Sequence, residues 1–305
     1  MAKGADASSV GRIGERSASR RAFVIVNTIV LTLMTSVSLL PVINILAMSW
    51  SNNTSVTAGL VGLWPVGFTS TAYAYIFRNP QFFTSFSVSL QRVLVGVPLN
   101  MICITLIAYP LSRPREQFTA RKYYVWYLIV TMLFSGGMVP TYLIVKATGI
   151  YDTIWALILP GAVPVFSMLI LMNFFRDLPH ELTEAAMIDG AGHVTVLLRL
   201  FLPLSKAALA TLTLFCFVDH WNAWFDGMVY INKKGLKPLQ TYLQSILVIP
   251  DIARMDAQER RLYFELNLRS VKAAQIFITM TPILILYPFL QKYFTKGIVL
   301  GSVKG

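Results

Sequence analysis

The chain has 305 residues, of which 55% are hydrophobic and only 13% are charged, with a net charge of +12 and a mean hydropathy of +0.61. A soluble domain carries roughly 25% charged residues, so this composition excludes a water-soluble globule and predicts an integral membrane protein. Because the basic residues lie in short gaps between apolar runs rather than in one basic stripe, we expect no nucleic-acid partner.

The chain opens with a polar tail, residues 1–21. The apolar stretch that follows, 22–48, exceeds the roughly 7–15 residues of a signal-peptide core and predicts an uncleaved transmembrane helix. A crossing needs about 20 apolar residues, and this requirement predicts five further spans. They are 88–112, 123–146, 153–175, 204–230 and 272–292. The predicted fold is therefore an all-α integral membrane protein with six transmembrane helices.

The distribution of basic residues predicts that both termini are cytoplasmic. Basic residues are frequent in the N-terminal tail, in the loop between spans two and three and at the C-terminus. In that loop they are Arg113, Arg115, Arg121 and Lys122. The loop 231–270 opposes this orientation, because it carries seven basic residues yet is predicted to be extracytoplasmic. Long segments translocate with less sensitivity to charge, so the prediction stands.

Two features interrupt the apolar spans. The sequence FSGGMVP, residues 134–140, predicts a break in the third span, which neighbouring helices can accommodate. Arg92 lies at the mouth of the second span and has two interpretations. Its side chain extends outward as an interfacial anchor, or it faces a cavity and meets a carboxylate of the substrate.

The loop 176–203 is predicted to be cytoplasmic and to contain two short helices. Leu182–Ile188 forms the first, with acidic residues near its N-terminal end, and Gly190 and Gly192 allow a turn at positive φ. The second helix presents an apolar stripe and ends at Pro203. The stripe consists of Val194, Leu197, Leu198 and Phe201. Such a segment docks into the groove of a partner protein, or it is a loop helix that lies on the membrane.

The fifth span ends in VDHWNAWFD, residues 218–226, which combines ionisable and aromatic side chains. Ionisable residues within a span indicate a functional site, and aromatic faces with amide and carboxylate groups suit a sugar. The candidates for a substrate path are Arg92, Asp219, His220, Trp221, Asn222 and Trp224. The alternative interpretation is an aromatic belt at the membrane interface.

The motifs of catalysis are absent from the sequence. We find neither the G-x-x-x-x-G-K-[ST] motif of a nucleotide-binding loop nor G-x-S-x-G, so we expect no enzymatic activity in this chain. The sequence HELTE, residues 180–184, lacks the second His of a zinc-protease motif, so we expect no metal site. An ion-coupled secondary transporter acting without an ATPase is the alternative function, although that class favours inverted repeats, which are not evident.

The loop 176–203 resembles the EAA loop of ABC-importer permeases. The family pattern is Glu-Ala-Ala, three residues, Gly, nine residues and a hydrophobic-x-Leu-Pro ending. The residues that match it, or its common Asp-Gly-Ala variant, are Glu184, Ala185, Ala186, Asp189, Gly190, Ala191, Leu200, Leu202 and Pro203. The resemblance implies that the first short helix of this loop couples the permease to a cytoplasmic ATPase subunit.

The resemblance extends over nearly the whole chain. The segments that carry it are SGGMVPTYL, LILPGAVPVF, NFFRDLP, HWNAWFDGMVYI and GSVKG. They are similar to sugar-importing permeases of the maltose-system type, and most of all to those for oligosaccharides and polysaccharide fragments, such as alginate importers. The resemblance implies a type I ABC importer permease of the bacterial inner membrane, which moves oligosaccharides, acidic ones included, by alternating access.

The same resemblance implies a set of partners. These are a second homologous permease subunit in a heterodimer, two ATPase subunits that hold ATP and Mg, and an extracytoplasmic solute-binding protein. The permease itself is expected to bind no cofactor. By the same resemblance, the binding protein contacts Lys237, Pro238, Leu239 and Gln240 in the outer loop.

Overall fold

A computed structural model describes the backbone of residues 18–247, 257 and 269–301, and the side chains of 21–245, 257 and 269–288. The described part is helical, with a single isolated antiparallel bridge between Ser51 and Phe68. The helices are α1 (Ala18–Ser49), α2 (Asn53–Thr57), α3 (Thr71–Arg78), α4 (Pro80–Ser112), α5 (Arg121–Leu133), α6 (Met138–Ala147), α7 (Val165–Arg176), α8 (His180–Ile188), α9 (His193–Val196), α10 (Leu202–Leu204), α11 (Lys206–Asn222), α12 (Phe225–Tyr230), α13 (Leu239–Leu247) and α14 (Arg269–Gly301).

Six helical segments have the length and apolarity of membrane spans. Three are single helices, namely α1, α4 and α14, and three are pairs bent by more than 40° at a short break. Helix α4 begins at Pro80, well before the predicted residue 88, because the Asn79 side chain accepts the Gln81 N–H and a proline suits the first helical position. The tail 1–17 and most of the loop 248–268 lie outside the described residues.

The third and fourth segments each consist of two pieces. Helices α5 and α6 meet at 111° across the predicted break, where Gly137 adopts a φ of +86° that favours glycine. The fourth segment begins with 3₁₀ turns over Ile154–Gly161, and α7 follows at 46°. Pro164 occupies the N-cap position of α7. Because of these bends, the two helices of each segment run in different directions.

The predicted span 204–230 is not one continuous helix. Helix α11 ends at Asn222, Ala223 is extended with ψ 122°, and α12 begins at Phe225. The break releases the Ala223 carbonyl, which accepts a hydrogen bond of 3.4 Å from Arg92 Nη1. An internal arginine therefore takes up a backbone group that a helix would have paired.

The helix predicted to stop at Pro203 ends one residue later, at Leu204, and the chain bends by 83° before α11. A π-helical turn over Leu197–Phe201 explains the continuation. Proline lacks an N–H and its ring collides with the carbonyl four residues earlier in an α-helix. The wider turn relieves that collision, because its carbonyls are displaced from the α-helical position.

Helix α4 packs against α7, α11 and α13. Helix α14 packs against α1, α3 and α11, so the two long helices share α11 as a neighbour. Two apolar clusters lie along α4. One contains Val93 and Trp221, and the other contains Ile104 and Phe201. Most large apolar side chains between Phe23 and Ile43 in α1 are exposed in the isolated chain. Exposure on this scale suits a surface in contact with lipid or with another apolar helix.

Candidate coupling loop and substrate path

Helix α8 ends in a Schellman motif that depends on Gly190. The Ala191 N–H donates to the Ala186 carbonyl at 2.9 Å, and the Gly190 N–H donates to the Met187 carbonyl at 3.0 Å. Gly190 has a φ of +83°, the left-handed conformation that this motif requires and that glycine adopts without strain. Gly192 has a φ of −72°, so the predicted positive φ is confirmed at Gly190 and wrong at Gly192.

The outer face of α8 has no cover in the isolated chain. Glu184, Ala185 and Asp189 are exposed, and the Ile188 side chain is 87% exposed. Ala186 is half-buried and packs against the interior, together with Ala191, Leu200 and Leu202. An exposed isoleucine between two acids is a surface that a partner protein can cover. We refer to Glu184, Ala185, Ile188 and Asp189 as the α8 surface.

The apolar stripe predicted after Gly192 is half wrong. Leu197 and Phe201 are buried, but Val194 is 70% exposed and Leu198 is 56% exposed. The π turn is the reason, because it changes the angular spacing of the side chains from that of an α-helix. Pro203 is exposed as well. Two apolar side chains therefore add to the uncovered area beside α8.

Arg113 connects the end of α4 to this loop, a role that the sequence does not indicate beyond its basic charge. Its side chain is buried, and its guanidinium carbon lies 4.2 Å from the centre of the Tyr109 ring and 4.5 Å from that of Phe201. Its Nη1 donates a long hydrogen bond of 3.5 Å to Thr183 Oγ1 in α8. The cation–π contacts stabilise the charge where water is excluded. Arg113 thus holds α8 and the π turn against α4.

Arg92 is neither an interfacial anchor nor free for a substrate. Its side chain is buried and forms an ion pair with Asp226, with a second hydrogen bond of 3.1 Å from Nη1 to Oδ1. Its Nε donates to His220 Nδ1 at 3.3 Å. Because a buried charge requires a counter-charge, Asp226 accounts for the position of Arg92. The interfacial anchor is therefore wrong, contact of Arg92 with a substrate carboxylate is blocked by Asp226 in this conformation, and Asp226 was missed as a site residue.

The structure divides the other path candidates between two sides of the segment formed by α11 and the break that follows it. Asp219, Asn222 and Trp224 are exposed and line a shallow cavity of about 460 Å³ that is wide open to the outside of the isolated chain, and Asp226 also borders it. His220 and Trp221 are buried on the other side. Neighbouring residues on a helix point in different directions, which explains the division. We refer to Asp219, Asn222, Trp224 and Asp226 as the cavity wall.

Trp221 is a structural residue and not part of the cavity wall. Its indole N–H donates to the Thr279 carbonyl at 2.9 Å, and its ring is stacked on Phe217 with 6.0 Å between the centroids. His220 packs against the backbone of α4 at Gly96, where an added Cβ would lie 2.6 Å from Nε2. The prediction that these two side chains contact substrate is therefore wrong in this conformation.

Hydrogen bonds hold the outer loop, residues 231–247, against α4 and the cavity wall. The Leu239 N–H donates to Ser89 Oγ at 2.8 Å, and Thr241 Oγ1 donates to the Trp224 carbonyl at 2.8 Å. Pro238 and Leu239 are buried, so their side chains are inaccessible to a binding protein in this conformation, contrary to expectation. Lys237 and Gln240 are half-buried and stay predicted contacts. A movement of this loop would therefore displace the wall.

Asp152 anchors the start of that loop. Its carboxylate accepts the N–H groups of Asn232 at 2.9 Å and Lys233 at 3.0 Å. The Lys233 N–H holds the pKa of Asp152 below its usual value, and the Asn232 N–H and the Lys233 charge add to this effect. Asp152 therefore stays ionised at neutral pH, and these contacts weaken only when the carboxylate becomes protonated in acid.

Comparisons with known proteins identify the family. Residues 117–300 match the model of the binding-protein-dependent transport system inner membrane component. The protein LplC of Bacillus subtilis is 39% identical over 287 residues, which cover 93% of this chain and 96% of LplC. The chain belongs to this permease family. It is therefore a multi-pass subunit of a bacterial inner-membrane importer, and not an enzyme.

Two further relatives support the assignment. The polygalacturonan/rhamnogalacturonan transport system permease YtcP of Bacillus subtilis is 37% identical and covers 88% of this chain and 93% of its own length. A chain in the crystal structure of a bacterial ABC transporter involved in the import of the acidic polysaccharide alginate has a TM-score of 0.81 at 32% identity. It covers 91% of this permease and 98% of its own length. The predicted six-helix ABC importer architecture is confirmed.

Proposed function

We propose that this permease carries oligosaccharides through the cavity bordered by Asp219, Asn222 and Trp224. The observation that supports this is the composition of the cavity wall, where an exposed indole adjoins an amide and a carboxylate around about 460 Å³. The indole can stack on the apolar face of a sugar ring, and the polar groups can bond its hydroxyls. The movement across the membrane occurs by alternating access.

Acidic polysaccharide fragments are the cargo that we propose. YtcP and the alginate importer are named for acidic polysaccharides, at 37% and 32% identity to this permease. The cavity wall offers no free cation to such a cargo, because Arg92 is already paired with Asp226 and the exposed Asp219 is acidic. We propose that the carboxylates of the cargo point away from this wall and meet cations of the second permease.

We further propose the partners and the orientation of the complex. Of two ATPase subunits, which bind ATP and Mg, one docks on the α8 surface from the cytoplasm, where both termini lie, and the other docks on the second permease. A second homologous permease completes a heterodimer, and a solute-binding protein contacts Lys237 and Gln240 from outside. ATP shifts the permease between its two states only if the ATPases bind one state more tightly than the other.

Substitution of Trp224 tests the cargo site. The assembled importer is reconstituted in proteoliposomes, and ATP-driven uptake of an oligogalacturonate is compared with that of a neutral maltodextrin of equal length. We expect Trp224→Ala to raise the KM for the acidic oligosaccharide roughly tenfold, as loss of an aromatic contact does in other binding sites. Trp64→Ala is the control, because Trp64 is 82% exposed and lies outside the cavity wall.

Two outcomes would contradict the proposal in different ways. An unchanged KM in Trp224→Ala would remove the cavity wall from the substrate path. Preferential uptake of the neutral maltodextrin would leave the path in place but refute the acidic cargo.

A further inference from the structure

A second cavity lies at the opposite end of α4 from the cavity wall. It has a volume of about 470 Å³ and is bordered by the turn after α4, the start of α5 and the end of α7. The side chains that define it are Arg115, Arg121, Lys122, Tyr123, Trp126 and Arg176. We refer to these six residues as the basic pocket.

The basic pocket concentrates positive charge without a neutralising acid. Four of its residues are cationic, and no carboxylate lines it. Among the described residues, the ion pairs are Arg92–Asp226 and Lys233–Asp152, which lie elsewhere. The nearest acids in sequence, Glu116 and Asp177, are exposed. Cations gathered without a counter-charge repel one another, so an anion between them would stabilise the arrangement.

The four cations fall into two groups. Arg121 donates to the Arg113 carbonyl at 2.8 Å, and Arg176 donates to Asn173 Oδ1 at 3.4 Å, so these two are tied to the protein. Arg115 and Lys122 are exposed and make no such bond within the described part of the chain. The first pair fixes the position of the pocket, and the second pair is free to close on a ligand.

The aromatic residues place the pocket at the level of the lipid headgroups. Helix α5 begins at Arg121, and its apolar sequence starts directly after Lys122. Tyr123 is 78% exposed and Trp126 is 57% exposed on the same side as the cations. Exposed Tyr and Trp are typical of the boundary between headgroups and hydrocarbon. These residues favour a position of the pocket at the headgroup level, open toward the bilayer.

We propose that the basic pocket binds the phosphate of an anionic phospholipid, such as phosphatidylglycerol, while the acyl chains lie against Trp126 and α5. Basic pockets between transmembrane helices bind anionic headgroups in this way. A free phosphate carries the same kind of negative charge as the headgroup, but it has no apolar part that could contact the exposed aromatic side chains beside the cations. The site is independent of the proposed cargo, because it depends only on the membrane location of the permease.

The bound lipid would connect α5 to α7, since Lys122 and Arg176 stand on those two helices. Helix α7 ends at Arg176, four positions before α8 begins at His180. A lipid in the pocket would therefore stabilise the end of α7, from which the loop containing α8 begins.

The test is a lipid titration of the assembled importer after delipidation in detergent. Phosphatidylglycerol and phosphatidylcholine are titrated separately, and bound lipid is counted by native mass spectrometry. The pocket variant is Arg115→Gln/Lys122→Gln, which leaves the tied Arg121 and Arg176 in place. The matched control, Arg78→Gln/Lys146→Gln, removes two exposed cations from the predicted opposite side of the membrane.

We expect the pocket variant to lower the apparent affinity for phosphatidylglycerol roughly 20-fold, while the control and the charge-preserving Arg115→Lys/Lys122→Arg bind as the wild type does. Equal affinity for the two lipids, or equal losses in the pocket variant and the control, would overturn the proposal. A third arm adds inorganic phosphate. Displacement of the lipid by millimolar phosphate would assign the pocket to the free anion and refute the lipid.

Discussion

The buried Arg92 holds together the elements that carry the cavity wall. Its guanidinium bonds Asp226, His220 and the Ala223 carbonyl, and so joins α4 to the break between α11 and α12. Arg92 and Asp226 are 134 residues apart, and no local pattern relates them. The sequence showed that both are ionisable groups within apolar spans, but the pairing depends on how α4 and α11 pack.

Removal of the Asp226 charge should destabilise the permease. We expect Asp226→Asn to lower the free energy of unfolding by roughly 3 kcal/mol, because it leaves Arg92 buried without a counter-charge. Asp219→Asn is the matched control, since Asp219 is exposed and outside any ion pair of the described chain. The thermal midpoint of the purified protein measures both effects.

A double variant shows whether the loss of stability comes from the unpaired charge of Arg92 or from altered packing at this site. Arg92→Met together with Asp226→Leu should recover most of the lost stability, because an apolar pair can replace a buried ion pair at little cost. A midpoint in Asp226→Asn that equals the wild-type value would show that Arg92 does not need this partner.

At the level of the elements, the sequence predicted the coupling loop better than the outer loop. The Schellman turn at Gly190 follows from a glycine placed directly after an amphipathic helix, a signal that lies within a few residues. The π turn has no such local signal, and it exposes Val194 and Leu198. The local sequence does not indicate the burial of Leu239 either, because that burial depends on contact with Ser89, which is 150 residues away.

The contact between α12 and α13 can be tested at Gly227. A Cβ there would lie 2.1 Å from Thr241 Oγ1 and 2.9 Å from Pro238 Cδ, so Gly227→Ala must push the two helices apart. We expect a loss of roughly 1–3 kcal/mol in stability, the usual cost of overpacking, and a weaker bond from Thr241 to the Trp224 carbonyl. Thermal unfolding and the KM for cargo measure these two effects.

Gly235→Ala is the control for that substitution. A Cβ at Gly235 meets nothing within 4 Å, although the residue belongs to the same outer loop. If Gly227→Ala were as stable and as active as Gly235→Ala, the outer loop would not be held against the cavity wall as described.

At the level of the whole molecule, hydropathy alone predicted six spans and the membrane class. The requirement that each span cross about 30 Å of hydrocarbon leaves a long apolar run in any such sequence. Hydropathy does not predict the bends of 111°, 46° and 83°, because they depend on tertiary contacts and on single residues such as Gly137. These bends place the cavity wall and the α8 surface at opposite ends of α4.

We propose that the loop containing α8 couples this permease to ATP hydrolysis, and the substitution Gly190→Pro should interrupt that coupling. Proline cannot adopt a φ of +83° and has no N–H for the Met187 carbonyl, so the turn is lost while the spans remain. Gly192→Ala is the control, since its φ is ordinary and an added Cβ meets nothing within 4 Å.

The measurement is ATP hydrolysis by the assembled importer, with and without cargo-loaded binding protein. We expect Gly190→Pro to lose the stimulation by cargo, or to retain the ATPase subunits no longer, while Gly192→Ala behaves as the wild type. Full stimulation in Gly190→Pro would refute this coupling role, because the loop would then only connect two spans and would not transmit ATP hydrolysis.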